Sequence, residues 1–420
     1  MTQPAKSLWR HRDFLKLWSA ETVSRFGSEV SNLALPFVAI VVLKVSAFEV
    51  ALLGALEFLP FLLFTLPAGV WIDRLARKPI LVASDLVRAV ALLSVPIAYG
   101  LDALTIWQLY AVGFVVGIGT VFFDVSYQSY LPSLVRRDQL VDGNSKLELS
   151  RATSQTGGPG VAGALIGLLT APVAVLVDAV SFVVSAVFLA RIKVQEELPS
   201  RDVRRSLRVE LMEGLRYLLA DRRIRALATS TVLFNFFGQI TFSIYLVYAV
   251  RELGLGAGTI GVLLALANLG GLAGAVLARR ISSRLGVGPA IAVGGACSTA
   301  LILVPLAPQS QPIPFLVASG LVMTFGVVLF NITGLSFQQE ITPDRMLGRL
   351  NASRRFLVWG VIPLGALTGG ALASVVGLRA TLFVGAIGIS FAVIPILLSP
   401  LRSLGPGQSP ASASASSAQA

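Results

Sequence analysis

Histidine, cysteine and charge are scarce in this chain, and each scarcity limits what it can be. Its 420 residues include one histidine, His11, and one cysteine, Cys297. One cysteine cannot form an intrachain disulfide and one histidine cannot supply a multi-histidine metal site, so we expect neither a metal nor another cofactor. Charged residues make up 13% of the chain, whereas soluble domains carry roughly 25%. A water-soluble fold is therefore not expected.

Apolar residues fill the chain instead. They make up 55% of it, and the mean hydropathy is +0.78. Segments of about 20 residues, long enough to cross a bilayer as a helix, recur along almost the whole length. These features predict an all-α polytopic membrane protein. We expect twelve transmembrane helices, near residues 14–42, 48–71, 80–99, 106–130, 150–170, 172–190, 224–248, 258–279, 288–307, 313–337, 351–375 and 378–399.

Basic residues are distributed unevenly around these spans. The formal net charge of +12 would suggest nucleic-acid binding in a soluble protein. If the N-terminus is inside, however, 29 of the 34 lysines and arginines fall at cytoplasmic positions, two within spans and three outside. This positive-inside bias predicts that both termini are cytoplasmic, and it favours the lipid bilayer over nucleic acid as a partner.

An internal repeat divides the predicted spans into two sets of six. A shift of 207 residues, without a gap, lays the segment from Gly119 onto the segment from Gly326 and places Asp124 opposite Asn331. We therefore expect two pseudo-symmetric six-helix bundles, with Asp124 and Asn331 facing each other across a central cavity. The predicted domains are an N-terminal bundle at 1–190, a cytoplasmic linker with an interfacial helix at 191–223, a C-terminal bundle at 224–400 and a disordered tail at 401–420.

A densely charged turn separates the second and third spans. The stretch "GVWIDRLARK" contains Gly-x-x-x-Asp-Arg-x-x-Arg-Lys, formed by Gly69, Asp73, Arg74, Arg77 and Lys78. Together with the repeat and the long central loop, this turn resembles that of the major facilitator superfamily of transporters. The segments "LWSAETVSRFGSEVSNLALP", "ASDLVRA" and "GGPGVAG" make the chain most similar to the bacterial drug and siderophore exporters of that superfamily.

The resemblance implies a cytoplasmic gate at this turn. Gly69 would let another helix approach closely, and the Asp73 carboxylate would face the positive end of span eleven. There Asn351 would cap the helix, and Arg354 or Arg355 would pair with Asp73. These contacts would break when the inner gate opens. The alternative for the three basic residues of the turn is that they only set the membrane topology.

"GGPGVAG", residues 157–163, resembles the span-five motif of exporters that exchange substrate for protons. Pro159 removes one backbone hydrogen bond, and Gly158 and Gly163 allow tight packing, so we expect a bend with a close helix interface. The family pattern Gly-Pro-x-x-Gly-Gly is only partly matched, and an ordinary packing kink is the alternative. No Lys-Ser or Lys-Thr follows the glycines, so they do not form a nucleotide-binding loop.

Several charged residues fall within the predicted spans, where an unpaired charge is costly and marks a functional candidate. Glu21, Arg25 and Glu29 share one stripe of span one because they are spaced i, i+4 and i+8. Glu57 lies in span two and Asp124 in span four. The resemblance implies that spans one, four, seven and ten line a cavity and that span two flanks it. We therefore expect all five residues to reach it, with a structural ion pair as the alternative for Arg25 and Asp124.

Other polar residues of the spans are expected to have different roles. Arg88 and Asp178 are predicted to be structural, with Arg88 pairing with Asp85 or Asp124. The C-terminal half offers only neutral polar groups, whose alternative role is hydrogen bonding between helices. The cavity candidates among them are Asn235, Gln239 and Asn331.

These features predict a secondary active transporter that exports small amphipathic molecules, such as a drug, a siderophore or a secondary metabolite, by proton antiport and alternating access. Glu29 and Glu57, nearest mid-depth, are the expected proton carriers because no span contains a histidine. We expect a monomer in the bacterial inner (cytoplasmic) membrane. The alternatives are a proton-coupled importer of a small organic solute and a membrane-embedded enzyme, for which no two in-span aspartates form a recognisable motif.

Overall fold

The computed structural model describes residues 8–72, 75–194, 196 and 207–404, and within these ranges the chain forms helices and no strand. A π-helical turn at Val38–Val42 extends the first helix, and short 3-10 turns join the tenth to the eleventh and the fourteenth to the fifteenth. The helices are α1 (Arg12–Phe37), α2 (Ala47–Ile72), α3 (Arg77–Gly100), α4 (Ile106–Leu134), α5 (Leu140–Leu169), α6 (Ala171–Ala190), α7 (Leu207–Ala220), α8 (Arg222–Arg251), α9 (Ala257–Leu285), α10 (Val287–Cys297), α11 (Leu303–Leu306), α12 (Ile313–Ile341), α13 (Asp344–Val376), α14 (Leu378–Ser390) and α15 (Ile394–Leu397).

The predicted all-α polytopic fold is confirmed. Eleven helical stretches in the described ranges are long and apolar enough to cross a membrane, and each corresponds to a predicted span. The remaining predicted span, the fifth at 150–170, corresponds to the C-terminal part of α5, a 30-residue helix. The first half of α5 carries charged side chains such as Asp142, Lys146 and Arg151. The helix therefore starts ten residues before the apolar segment that predicted it.

The helices are grouped in two compact units. The first comprises residues 1–203 and 255–265, and the second comprises residues 204–254 and 266–420. In the first unit α1 packs on α5 and α6, α2 packs on α4, and α3 packs on α4 and α6. In the second unit α8 packs on α13 and α14, and α10 packs on α12. The first nine residues of α9, 257–265, belong to the first unit.

Helix boundaries repeat at the interval found in the sequence. Ile106 and Ile313 begin α4 and α12, and Leu134 and Ile341 end them, so both boundaries are separated by 207 residues. α5 and α13 also end 207 residues apart, as α6 and α14 begin. The repeat therefore extends from residue identities to helix lengths in the two units.

Local residues explain several helix starts. The His11 ring accepts a hydrogen bond from the Phe14 N–H at 3.1 Å, and the Asp221 carboxylate accepts from Arg223 and Ile224 at the start of α8. Each satisfies donors that the first turn of a helix leaves unpaired. Between α13 and α14 the chain turns at Gly377, where φ is +84°, a conformation that glycine adopts without steric cost.

The predicted linker contains a helix, and that helix is packed. Gly214 of α7 lies against the carbonyl oxygen of Arg349, and Glu213 forms an ion pair with the same arginine. Leu218 is buried against Ile224 and Leu350. α7 is therefore held on the first turns of α13 within the second unit, and its place at a membrane interface stays a prediction.

The predicted disordered tail begins too early. Residues Pro400–Ser403 form a 3-10 turn, and Leu401 and Leu404 are buried in an apolar cluster with Ile291 and Phe337. These two leucines give the turn enough apolar surface to pack, which the rest of the predicted tail lacks. Residues 405–420 lie outside the described residues.

Candidate functional site

A polar cavity of about 450 Å³ lies inside the first unit. Its wall combines apolar and aromatic side chains with serine, threonine, asparagine and glutamine side chains. It also holds five carboxyl groups and two guanidinium groups, an excess of three negative formal charges. The charged lining residues are Glu21, Arg25, Glu29, Glu57, Arg88, Asp124 and Asp178. Such a concentration of ionisable groups within membrane spans marks a functional site.

The predicted stripe of α1 lines this cavity. The Arg25 guanidinium forms an ion pair with the Glu21 carboxylate one turn away. The Glu21 side chain is 2% exposed, whereas that of Arg25 is 34% exposed. Asp124 on α4 is near enough to interact electrostatically with both. The two acids and the arginine therefore form one coupled group on the wall shared by α1 and α4.

Glu29, one further turn along α1, rests on α5. A Cβ built at Gly158 would lie 2.6 Å from both Cβ and Cγ of Glu29, so only glycine leaves room for the stem of this side chain. Asn32 hydrogen-bonds the Glu29 carboxylate. The glycine of the predicted span-five motif therefore determines where the Glu29 carboxylate lies in the cavity.

Glu57 enters the cavity from α2 across two glycines of α4. A Cβ at Gly113 would lie 2.9 Å from the Glu57 Cγ, and one at Gly117 would lie 2.5 Å from its backbone oxygen. These glycines bring α2 and α4 close together at the height of the carboxyl group. In the described part of the chain Glu57 forms no ion pair, unlike Glu21.

Arg88 and Asp178 line the same cavity, which their predicted structural role did not include. Arg88 forms an ion pair with Asp85, one of its two predicted partners, and its guanidinium lies over the rings of Phe123 and Phe182, 4.5 and 4.0 Å from their centroids. Asp178 accepts a hydrogen bond from the Ser181 hydroxyl at 3.0 Å.

The sequence could predict the ion pair of Arg88 but not the place of Arg88 and Asp178 in the cavity lining. The i, i+3 spacing of Asp85 and Arg88 on α3 is a local pattern that predicts a pair. The cavity lining depends instead on contacts between helices. Gly27 of α1, for example, has no room for a Cβ because Asp178 and Ser181 of α6 occupy that space. This contact could not be derived from spacing along one helix.

The second unit has a smaller cavity with no charge in its lining. Its volume is about 180 Å³, and Asn235 and Asn331 line it beside Phe234 and Phe330. The Asn235 amide donates a hydrogen bond to the Thr231 carbonyl at 2.8 Å. Gln239 is not in the described lining, and its Cβ lies instead against Gly365 at the contact of α8 with α13.

Arg77 and Lys78, predicted for the cytoplasmic gate, contact the segment that follows α6. Their backbone N–H groups donate to the two carboxylate oxygens of Glu196, at 2.5 and 2.9 Å. The Lys78 ammonium also donates to the carbonyl oxygen of Ile192 at 2.6 Å. Glu196 therefore caps α3, a role that the sequence did not reveal because the two ends are 118 residues apart.

Of the other residues predicted for the charged turn, only Gly69 is described by the structure. Asp73 and Arg74 lie outside the described residues, so their predicted contacts stay predictions. No described atom lies within 4 Å of the point where a Cβ would stand at Gly69, which contradicts the predicted close approach of a helix there. Neighbouring helices reach α2 at Gly113 and Gly117 of α4 instead.

Asn351 is not a helix cap. α13 begins seven residues earlier, at Asp344, because Pro343 precedes it in an extended conformation with ψ of 141° and so ends the preceding segment. The Asn351 side chain instead accepts a hydrogen bond from the Gln338 amide at 3.0 Å. Of the two predicted arginines, Arg354 lines a small cavity near Gln338, and Arg355 lies 4.7 Å from the centroid of the Trp359 ring.

The motif "GGPGVAG" lies at a close helix contact inside the first unit. A Cβ at Gly163 would lie 2.5 Å from the Ala257 carbonyl oxygen and 3.0 Å from the Gly261 Cα. Gly261 in turn lies against the backbone oxygen of Pro159. α5 runs through Pro159 without interruption, so the motif joins α5 to the start of α9.

Comparison with known proteins places this charged helical membrane protein among the transporters. The chain matches the family described as Transmembrane secretion effector over residues 5–418. It belongs to that family, a member of the major facilitator superfamily, as the sequence motifs predicted. The chain is therefore a membrane transporter of small molecules and not an enzyme.

Individual relatives agree with this assignment. The multidrug efflux pump Tap of Mycolicibacterium fortuitum is 27% identical over 383 residues, which cover 86% of this chain and 89% of that protein. Macrolide efflux protein A of Streptococcus pyogenes is 25% identical over 229 residues, or 53% of this chain and 55% of that protein.

Solved structures of other transporters share the fold. A bacterial homologue of the iron transporter ferroportin, in an inward-facing state, has a TM-score of 0.75 and 18% identity, with 93% of this chain and 99% of that chain covered. The nucleoside transporter NupG has a TM-score of 0.73 and 14% identity, with 92% and 98% covered. At these identities the likeness shows the fold alone.

Proposed function

We propose that this transporter exports small amphipathic molecules, with a preference for cations, in exchange for protons. The observation that carries the proposal is the cavity of the first unit, whose lining holds five carboxyl groups against two guanidinium groups. Excess negative charge in a site of low dielectric attracts cations more strongly than it would in water. The named relatives, a multidrug pump and a macrolide efflux protein, support export.

The apolar part of the same wall supports an amphipathic substrate. Phe58, Phe61 and Phe123 line the cavity beside the carboxyl groups. Aromatic faces bind apolar rings and also attract cations. A volume of about 450 Å³ falls within the range of small-molecule sites, about 300–1,000 Å³.

Glu57 and Glu29 are the proposed proton carriers. Glu21 is engaged by Arg25, so protonating it would break an ion pair inside the membrane. Glu57 has no such partner in the described ranges, and a proton would neutralise it without that cost. Proton and cationic substrate would then compete for the same carboxylates, which is the basis of exchange.

The wider arrangement belongs to the same proposal. Two six-helix bundles would alternate access to the cavity, with the charged turn after α2 and the start of α13 as the cytoplasmic gate. The chain would act as a monomer in the bacterial inner membrane with both termini in the cytoplasm. The helix repeat and the positive-inside distribution of charge support this topology.

Transport by inside-out membrane vesicles tests the function. Vesicles that contain the protein are acidified inside by respiration, and the fluorescence of ethidium, an amphipathic cation, is followed. We expect the vesicles to accumulate ethidium, and nigericin, which collapses the pH gradient, to release it. Vesicles without the protein are the control. Loss of ethidium from preloaded vesicles on acidification would indicate import instead, and no gradient-dependent movement would contradict proton exchange.

A further inference from the structure

An open cavity of about 660 Å³ lies in the second unit, apart from the transport candidates. It is situated where α8 begins and where the turn Pro400–Ser403 follows the last span. Its described lining contains three arginines, Arg222, Arg225 and Arg402, and no acidic residue. The distribution of basic residues predicts that this end faces the cytoplasm.

Two of these arginines carry uncompensated charge. Arg222 and Arg402 are exposed, and neither forms an ion pair in the part of the chain that the structure describes. Arg225 donates to the Leu219 carbonyl at 2.8 Å, and the neighbouring Arg223 pairs with Asp221 at 3.1 Å. At the start of α8, Asp221 thus neutralises Arg223, and Arg222 stays available for an anion.

Arg402 is presented by a turn that is held in place. The Ser399 hydroxyl accepts from the Leu401 N–H at 3.2 Å and donates to the Ile396 carbonyl at 2.8 Å. Leu401 is fully buried, and the backbone at Gly288 packs directly against its carbonyl oxygen. The arginine therefore projects from a turn fixed on both sides and not from a free tail.

Apolar groups continue the basic cavity along the last span. Leu398 lines the cavity and is 80% exposed. Leu397, Ile394 and Phe391 are exposed in sequence before it, on the helix that crosses the membrane. A ligand that fits this surface has an anionic group at one end and a hydrocarbon chain at the other, which distinguishes a phospholipid from a free phosphate ion.

We propose that this cavity binds the phosphate group of an anionic phospholipid of the cytoplasmic leaflet. Arg222 and Arg402 contact the phosphate, and an acyl chain lies along Leu398 and the exposed apolar side chains before it. Basic pockets at the cytoplasmic ends of spans bind such headgroups by this combination of charge and apolar contact. The proposal holds for either direction of transport, since none of the lining residues belongs to the charged cavity of the first unit.

Lipid titration of the full chain in detergent, followed by native mass spectrometry, tests the site. Dioleoyl phosphatidylglycerol is the anionic probe and dioleoyl phosphatidylcholine the zwitterionic one. For Arg222→Gln/Arg402→Gln we expect the apparent affinity for phosphatidylglycerol to fall about 25-fold, since each basic residue near a lipid surface contributes about fivefold. The matched control, Arg280→Gln/Arg284→Gln, removes two exposed arginines from the end of α9 and should bind as the wild type does.

Further measurements distinguish lipid binding from phosphate binding, and a loss of binding from a loss of folding. Leu398→Asn should weaken phosphatidylglycerol binding, and inorganic phosphate at equal ionic strength should not displace the lipid. Equal thermal unfolding of all variants in phosphatidylcholine will show that they are folded. Equal loss in the two double variants, equal binding of phosphatidylcholine by the wild type, or displacement by inorganic phosphate would each overturn the proposal.

Discussion

At the scale of single residues, two adjacent glycines of α5 have different surroundings. A Cβ at Gly158 would meet the stem of Glu29 at 2.6 Å, whereas nothing lies within 4 Å of a Cβ at Gly157. The clash involves the Cβ and Cγ of Glu29 and not the mobile end of its side chain. Glu29 therefore cannot yield without moving its backbone or its carboxylate.

Gly158→Ala should displace Glu29 and impair transport, while Gly157→Ala should not. We expect overpacking to cost about 1–3 kcal/mol in the first variant. The control should be neutral or more stable by up to about 1 kcal/mol, because alanine favours a helix. Unfolding in detergent and gradient-driven ethidium uptake measure the two effects. Equal behaviour of the two variants would show that the Gly158–Glu29 contact has no role.

At the scale of helices, the two repeats have different residues in the connection from α5 to α6 and in the matching connection from α13 to α14. Thr170 lies between α5 and α6 with φ of +76° and ψ of +155°, and Gly377, 207 residues later, lies between α13 and α14 with φ of +84° and ψ of +166°. That region of backbone space is essentially confined to glycine. The first unit therefore carries strain at Thr170 that the second unit avoids.

Thr170→Gly should stabilise the protein. Relief of backbone strain contributes about 1–3 kcal/mol, offset by about 0.5–1 kcal/mol of added flexibility in the unfolded chain. The reciprocal Gly377→Thr should destabilise by a similar amount. Thermal unfolding in detergent tests both, and a less stable Thr170→Gly variant would contradict the strain argument.

The start of α8 predicts a dependence of stability on pH. Burial raises the pKa of Asp221, but hydrogen bonds from the Arg223 side chain and from the Arg223 and Ile224 N–H groups lower it further, so the net pKa lies below the usual value. Because the pKa is lower in the folded state, this stabilisation is complete above the unfolded value of about 4 and is lost as the pH falls through the folded value. Asp221→Ala should therefore cost about 1 kcal/mol at neutral pH.

Unfolding of Asp221→Ala and of the wild type, measured from pH 7 down to about pH 3, checks this dependence. The difference between them should shrink as the pH falls below about 4. Asp221→Asn, which keeps a capping oxygen but not the charge, should lie between them at neutral pH. A difference between wild type and Asp221→Ala that stays constant over the range would contradict the role of the carboxylate.

The helices show which features the sequence could predict. Span positions followed from hydropathy, because the bilayer requires a minimum apolar length whatever the neighbouring helices are. The Glu21–Arg25 pair likewise follows from spacing along one helix. The Glu196 cap of α3, the place of Gly158 under Glu29 and the ring contacts of Arg88 depend on contacts between distant segments. A single sequence does not contain that information.

At the scale of the whole molecule, the repeated helices carry different chemistry. Gly119 of α4 packs on Arg88 of α3, whereas Gly326, its counterpart in α12, packs on Cys297 of α10. Asp124 lines the charged cavity of the first unit, and its counterpart Asn331 lines the neutral cavity of the second. The five carboxyl groups that line the charged cavity thus all belong to the first unit, and the matching cavity of the second unit has no charged residue in its described lining. The proposed proton exchange therefore involves the carboxyl groups of the first unit.

The last prediction follows from that asymmetry. Glutamine keeps the size of glutamate and one accepting oxygen but cannot bind and release a proton, so Glu57→Gln and Glu29→Gln should each lose most gradient-driven ethidium uptake. Ethidium binding without a gradient should persist in at least one of them, because the other carboxylates of the cavity remain. Glu340→Gln, at an exposed position of α12, is the control and should transport normally. Wild-type uptake together with wild-type substrate-induced proton movement in both cavity variants would mean that another group, or another ion, drives transport.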